Sequence, residues 1–141
     1  MNKASEQNFE RLAAYVGGNF PPPFADKFGY ELTTVEPGKV VIETDVDESH
    51  AHQWGTAFGG VIAALADATL GFVSLTTMEK GQTGGFLEMK INYLKAITKT
   101  RLKAIGTMKK RGRTVALTEC DVLDSDGELV AYAVATIVIR N

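Results

Sequence analysis

Apolar and polar positions alternate at two different periods along this chain. From Ser5 to Val16 the spacing is helical, with Phe9, Leu12, Ala13 and Val16 on one side and Gly17 and Gly18 as a stop. The stretch FPPPF that follows predicts a stiff connector, because three prolines fix φ and remove donors. Period-2 alternation then predicts strands over Tyr30 to Val35 and Lys39 to Val46, joined by the turn EPGK. A helical pattern opens at Gly59 and Gly60. The polar, glycine-rich run from Glu79 to Gly85 reads as a loop. Four further alternating runs predict strands over Phe86 to Ala96, Arg101 to Lys110, Thr114 to Leu123 and Glu128 to Ile139, with connections around TKT, RGR and DSDG short enough for antiparallel pairing. In the last run Ala131, Ala133 and Ala135 share one face, opposite Val130, Tyr132 and Val134, so a helix can lie close against the small residues. One long helix after two strands, followed by an antiparallel meander, predicts an α+β fold: a curved antiparallel sheet wrapped around the helix, with edges able to pair with a second copy.

On a helical wheel Gly60, Ala64, Asp67 and Gly71 form a narrow stripe, while Val61, Ile62, Leu65, Thr69, Phe72 and Val73 take most of the opposite side. The bulky side fills a core, and the small side lets a backbone or a ligand approach Asp67. An ionisable group in apolar surroundings is costly unless paired, hydrogen-bonded or used, and Asp67 is too deep in the helix to cap it. A partly solvated Asp making a structural hydrogen bond is the plainer alternative.

Composition narrows the class. A chain of 141 residues that is 45% hydrophobic suits a single domain, residues 1–141, with 1–24 as an N-terminal helix and proline-rich connector. The formal net charge of −2 gives no reason to expect nucleic acid or an anionic membrane as partner. Cys120 is the only cysteine, which excludes an intrachain disulfide, and its strand-like surroundings, VALTECDV, suggest a small core residue. No run reaches the ~18 uninterrupted apolar residues of a membrane span, and the first residues lack the apolar core of a signal peptide. The expectation is a soluble, cytoplasmic protein.

The run H-x-H-x-x-G-x-x-F-G-G, from His50 to Gly60, followed by L-x-D ending at Asp67, resembles the motif of hotdog-fold thioesterases of the phenylacetate-pathway and acyl-CoA thioesterase type. That motif commonly reads H-x-N-x-x-G-x-x-H-G-G with a carboxylate on the helix. The stretches LEMKINYLKAI and GTMKKRGRTVALTECDVLDSDGELVAYAVATIVI resemble the strands that follow, so the likeness runs from about Gly29 to the C-terminus. It implies a hotdog fold and hydrolysis of an acyl-CoA thioester between two protomers, a homodimer at minimum with a homotetramer as the further option. No cofactor or metal is implied beyond the coenzyme A of the substrate.

Helix geometry agrees with a shared site. Gly59 and Asp67 are separated by about 12 Å along one helix axis, whereas a reacting carbonyl must sit about 3 Å from both an oxyanion donor and the attacking oxygen. Two antiparallel helices can supply both. The N–H groups of Gly59 and Gly60 would polarise the thioester oxygen, and Asp67 would act as general base or as nucleophile. His52 stands where the family usually has Asn, and can still hydrogen-bond or assist proton transfer. Phe58 stands in place of the His of H-G-G, and Gly85 and Phe86 where some members carry Ser or Thr, with Thr83 nearby. A more apolar site favours an aryl or medium-chain acyl group, with Phe58 and Phe86 against it.

Other constellations have two readings each. Lys109, Arg111 and Arg113 in KKRGR form either a charged hairpin turn or a clamp for the phosphates of coenzyme A. Trp54 either stacks on the substrate or packs at the dimer interface. His50 and His52, near Asp45, Asp47 and Glu48, lack a third ligand at a diagnostic spacing and read better as a solvated strand end than as a metal site. Lys90 and Asn92, alternating with Met89, Ile91 and Tyr93, read as the wet face of a strand. Two other functions stay open: a hotdog hydratase or dehydratase using His52, and a non-catalytic acyl-CoA-binding protein, which Phe58 would suit.

Overall fold

The computed structural model describes residues 22–141 together with Glu10, Leu12 and Ala13. The expected helix from Ser5 to Val16 lies outside the described residues apart from those three, of which Leu12 is buried. The proline-rich stretch ends sooner than expected, because Pro23 opens a short helix, α1 (Pro23–Phe28). Proline at the first helical position lacks only an N–H that would have no partner anyway. Gly29 closes α1 at φ 85°, its N–H donating to Ala25 O at 2.7 Å.

Strands β1 (Tyr30–Glu36) and β2 (Lys39–Val46) form a hairpin turned at Gly38, whose φ of 76° suits glycine. A 3-10 turn (Glu48–His50) and an irregular loop lead into the long helix α2 (Gly59–Leu75). Then come β3 (Thr83–Tyr93), β4 (Thr100–Arg111), β5 (Val115–Leu123) and β6 (Leu129–Arg140). All pairings are antiparallel, in the order β1-β2-β4-β5-β6-β3. The sheet bends at bulges near Leu32, Phe86, Met108 and Val122, and α2 lies in its hollow. This is the hotdog architecture that the resemblance implies.

Three expectations are corrected. β3 does not pair with β4; it crosses to the far edge and pairs with β6, from Thr83 opposite Arg140 to Tyr93 opposite Ala131. The segment 94–99 spans the end of the sheet instead of turning back, with Leu94 and Lys95 N–H both donating to Val130 O and Ile97 O accepting from Ala57 N–H. Second, Thr83–Gly85 belong to β3 and not to the preceding loop, and the strand stops at Tyr93 where this crossing begins. Third, Val130 is buried beside Ala131, because the register slips between Val122 and Leu123 and turns both residues inward.

The face of α2 that enters the core carries Ile62, Leu65, Ala66, Thr69, Leu70 and Val73. Opposite them lie Ile42, Leu102, Ala104, Cys120 and Val122, and the three alanines of β6 are buried as their spacing predicts. Val61 and Phe72 only flank this core. Among the described residues no helix is long and apolar enough to cross a membrane.

Candidate active site

The loop before α2 is closed by its own hydrogen bonds. Ala51 bridges Ala57, His52 N–H donates to Thr56 O at 2.9 Å, and Gly55 N–H donates to His52 O at 2.9 Å, with Gly55 at φ 88°. The ring of His52 is engaged on both sides. Its Nδ1 accepts from Trp54 N–H at 3.1 Å, so the neutral ring carries its proton on Nε2, which faces Thr56 Oγ1 at 2.7 Å. Trp54, 80% exposed at the loop tip, stands edge-on to His52. His50 is tied into the turn before it: its Nδ1 accepts from Asp47 N–H at 3.1 Å, and Asp47 Oδ1 accepts from Ser49 N–H at 2.9 Å. The hydrogen bond from the Ser49 hydroxyl to Asp47 Oδ1 first, then that from Ser49 N–H, with a smaller contribution from His50, hold the Asp47 carboxyl below its ordinary range. No three His, Cys, Asp or Glu side chains among the described residues gather around a common ion position.

Phe58 turns the chain into α2 with extended backbone and no side-chain cap. The N–H groups of Gly59 and Gly60 have no partner among the described residues, while Val61 N–H returns to Phe58 O at 2.9 Å. These two amides are therefore open donors at the positive end of the helix. Rings press on both glycines. A Cβ at Gly59 would lie 3.2 Å from the Tyr93 ring, and one at Gly60 would lie 2.6 Å from the ring of Phe58. Tyr93 Oη also donates to Gly59 O at 3.0 Å. Beside this helix start is a cavity of about 330 Å³ lined by His52, Thr56, Gly59, Tyr93, Lys95 and Ile97 among others. Sequence reasoning assigned Tyr93 only to a strand face; its position seven residues past Phe86 gives no sign that it reaches across to the helix.

Asp67 lies on the exposed side of α2 and has no hydrogen bond among the described residues. Although exposed on the single chain, its carboxyl is crowded enough that desolvation raises its pKa above the ordinary aspartate value. Tyr30 of β1 is the nearby group that feels it: burial first, and then the charge of Asp67, raise the Tyr30 phenol. Tyr30 is part of an aromatic cluster, 6.4 Å edge-on from Phe72 and 6.1 Å from Phe28, with Phe24 stacked on Phe28. On the other flank Phe86 covers Gly71, where a Cβ would be 3.6 Å from its ring. Thr83 and Gly85, on the same strand, are exposed at its start.

The structure separates the three basic residues of the β4–β5 hairpin. Arg111 is bound to its own chain, through Nη2 to Gln82 Oε1 at 2.8 Å and through other guanidinium nitrogens to Thr77 O and Gly112 O. Lys109 Nζ is 3.7 Å from Glu119 Oε1 and largely exposed, and Arg113 is exposed. Cys120 is fully buried, and burial pushes its thiol up to about 12, consistent with a core residue.

Open helix-end amides and an unpaired carboxylate are groups whose chemistry suits hydrolysis of an activated carbonyl. Residues 55–131 match the thioesterase superfamily, and the chain belongs to that family. Thioester hydrolysis is the enzyme class this membership defines. Human acyl-coenzyme A thioesterase 13 is 32% identical over 133 residues, covering 93% of this chain and 83% of its own. The phenylacetic acid degradation protein PaaI of Thermus thermophilus superposes with a TM-score of 0.77 at 27% identity, covering 83% of this chain and 98% of that one. A phenylacetic acid degradation-related protein from Ralstonia eutropha gives a TM-score of 0.80 over 90% of this chain and 98% of its own; at 23% identity it speaks for the fold alone.

Proposed function

We propose that this chain hydrolyses acyl-coenzyme A thioesters at a site assembled by two copies, the Gly59 and Gly60 amides of one facing Asp67 of the other. The observation that carries this is the pairing of free amides at the start of α2 with an unpaired carboxylate further along it, about 12 Å away by helix geometry and too far to meet one carbonyl. The edge of β3 supports a second copy: it is the last strand of the sheet, and Leu87, Tyr93 and Leu94 stand 65%, 52% and 56% exposed along and just beyond it.

In this reading the thioester oxygen takes the two amide hydrogen bonds. Asp67 removes a proton from water as the water oxygen adds to the carbonyl carbon; the tetrahedral oxyanion then collapses, the C–S bond breaks, and Asp67 gives that proton to the coenzyme A thiolate as it leaves. Alternatively an Asp67 oxygen adds directly, expels the thiolate and leaves a mixed anhydride that water cleaves. Phe58 and Phe86 present apolar surface on either side, which favours aryl or medium-chain acyl groups over acetyl. Lys109 and Arg113, both exposed, would take the phosphates of coenzyme A, while Arg111 holds the hairpin to the 77–82 segment. His52, with both ring nitrogens engaged in its own loop, serves as a positioning group, which disfavours a hydratase that would move a proton through it.

One other reading has a specific observation behind it. The exposed Phe58 ring lies over Gly60, where it would obstruct an oxyanion in a protein that binds the ester without cleaving it. Thiol release from acetyl, medium-chain, long-chain and phenylacyl esters of coenzyme A separates the two. Turnover that vanishes in Asp67→Ala supports hydrolysis, and saturable binding with no turnover on any ester selects the binding protein.

A further inference from the structure

The carbonyl to which Tyr93 donates belongs to the same peptide unit as the Gly60 N–H. An amide is conjugated, so a donor on its oxygen draws density from its nitrogen and makes the N–H a better donor; hydrogen bonds in such a chain reinforce one another. The plane is fixed as well, since turning the Gly59–Gly60 peptide would pull Gly59 O away from the phenol. The contact depends on glycine: a Cβ at Gly59 would sit 3.2 Å from Tyr93 Cζ and 3.3 Å from its Cε1 and Oη. No side chain caps α2 from Phe58, so the support that a cap gives to a helix start comes here from a different element, the end of β3.

We propose that Tyr93 is a positioning residue for the hydrolysis, setting the orientation and donor strength of the Gly60 amide through the Gly59 carbonyl. This rests on the reading of Gly59 and Gly60 as the oxyanion donors. Tyr93 never needs to touch the substrate. Its hydroxyl acts through one peptide bond, and its half-exposed ring lets the hydroxyl be removed without opening the core.

Tyr93→Phe keeps the ring on Gly59 and deletes only the donor. The expected result is a kcat lower by about 5- to 20-fold, a fraction of what losing a whole oxyanion donor costs, with KM within about twofold and the acid limb of the pH profile unmoved. The Gly60 amide should shift in a nitrogen–proton correlation spectrum in the direction of a weaker donor. A Tyr that only supports the fold would lower the melting temperature and leave kcat of the folded protein intact. A folded Tyr93→Phe protein with unchanged kcat, or with an unmoved Gly60 amide, overturns the proposal. A wild type inert on every ester overturns the hydrolase reading and this one together, and is seen before any variant is compared.

Discussion

Gly106 of β4 lies directly beneath Thr69 of α2: a Cβ at Gly106 would meet Thr69 Cγ2 at 2.7 Å and Thr69 O at 3.3 Å. Helix and sheet touch there with no space for a methyl group. Thr69 cannot swing away, because it is fully buried and its hydroxyl donates to Leu65 O at 2.7 Å. Gly106→Ala should therefore lower unfolding stability in urea by about 1–3 kcal/mol, the usual cost of overpacking. It should also reduce turnover, since Asp67 is two residues away on the helix that must lift. Full stability would show that the helix has slack at this point.

Desolvation of Asp67 sets the sign of two pH effects. If ionised Asp67 is the base or nucleophile, kcat/KM rises with pH, with its midpoint above that of an ordinary aspartate. Asp67→Asn should reduce turnover by about 10²- to 10⁴-fold. Stability moves the other way. A carboxyl whose pKa is raised by folding contributes stability that is complete below its unfolded pKa and disappears as pH rises through the folded one. Asp67→Asn should thus melt higher than the wild type at neutral pH, and the gap should close as pH falls through the raised Asp67 pKa. Melting curves at pH 4 and pH 8 decide it; a gap of the same size at both would refute the assignment.

Lys95 ties the crossing after β3 to the β5–β6 turn. Its ammonium contacts Asp124 Oδ2 at 2.6 Å and Glu128 Oε2, and Asp124 Oδ1 accepts N–H bonds from Asp126 and Glu128, each at 3.0 Å. The Lys95 hydrogen bond first, and then these backbone donors, hold Asp124 below the ordinary carboxylate range. The stability this gives is present above the unfolded pKa and lost as pH falls through the folded one. Asp124→Asn should lower the melting temperature at pH 7, with the deficit shrinking on acidification, as read by thermal scans from pH 7 to pH 2.

Cys120 should behave as an inert core atom. With its thiol raised by burial to about 12, labelling by a thiol reagent at pH 8 should proceed at the rate of global unfolding. Cys120→Ala should retain turnover. Rapid labelling of native protein, or loss of turnover in the variant, would assign this thiol a role that the fold gives no reason to expect.

Alternation located the strands well; Lys39–Val46 begins and ends where the pattern does. What alternation reports is which face a residue occupies, and it carries no information about the partner strand. The pairing of β3 with β6 was therefore invisible, and a short connection suggested a hairpin that does not form. Prolines hid α1 for a related reason, since Pro23 reads equally as a stiff extended segment or as a first helical residue. The site was legible in part. Gly59, Gly60 and Asp67 lie close in sequence and their spacing is set by one helix, whereas Tyr93, Tyr30 and Gln82 reach Gly59, Asp67 and Arg111 only through the tertiary fold.

The outermost strand is also the one that must wait longest. β3 is complete in sequence at Tyr93, but β6, the one strand it pairs with among the described residues, ends only at Arg140. As the polypeptide leaves the ribosome, a segment bearing Phe86, Leu87 and Tyr93 has no strand to pair with among the described residues until β6 has emerged. Long-range pairing of this kind slows folding and leaves a sticky intermediate. Loss of Ile139 and Arg140 would unzip the pairing at its Thr83–Arg140 end.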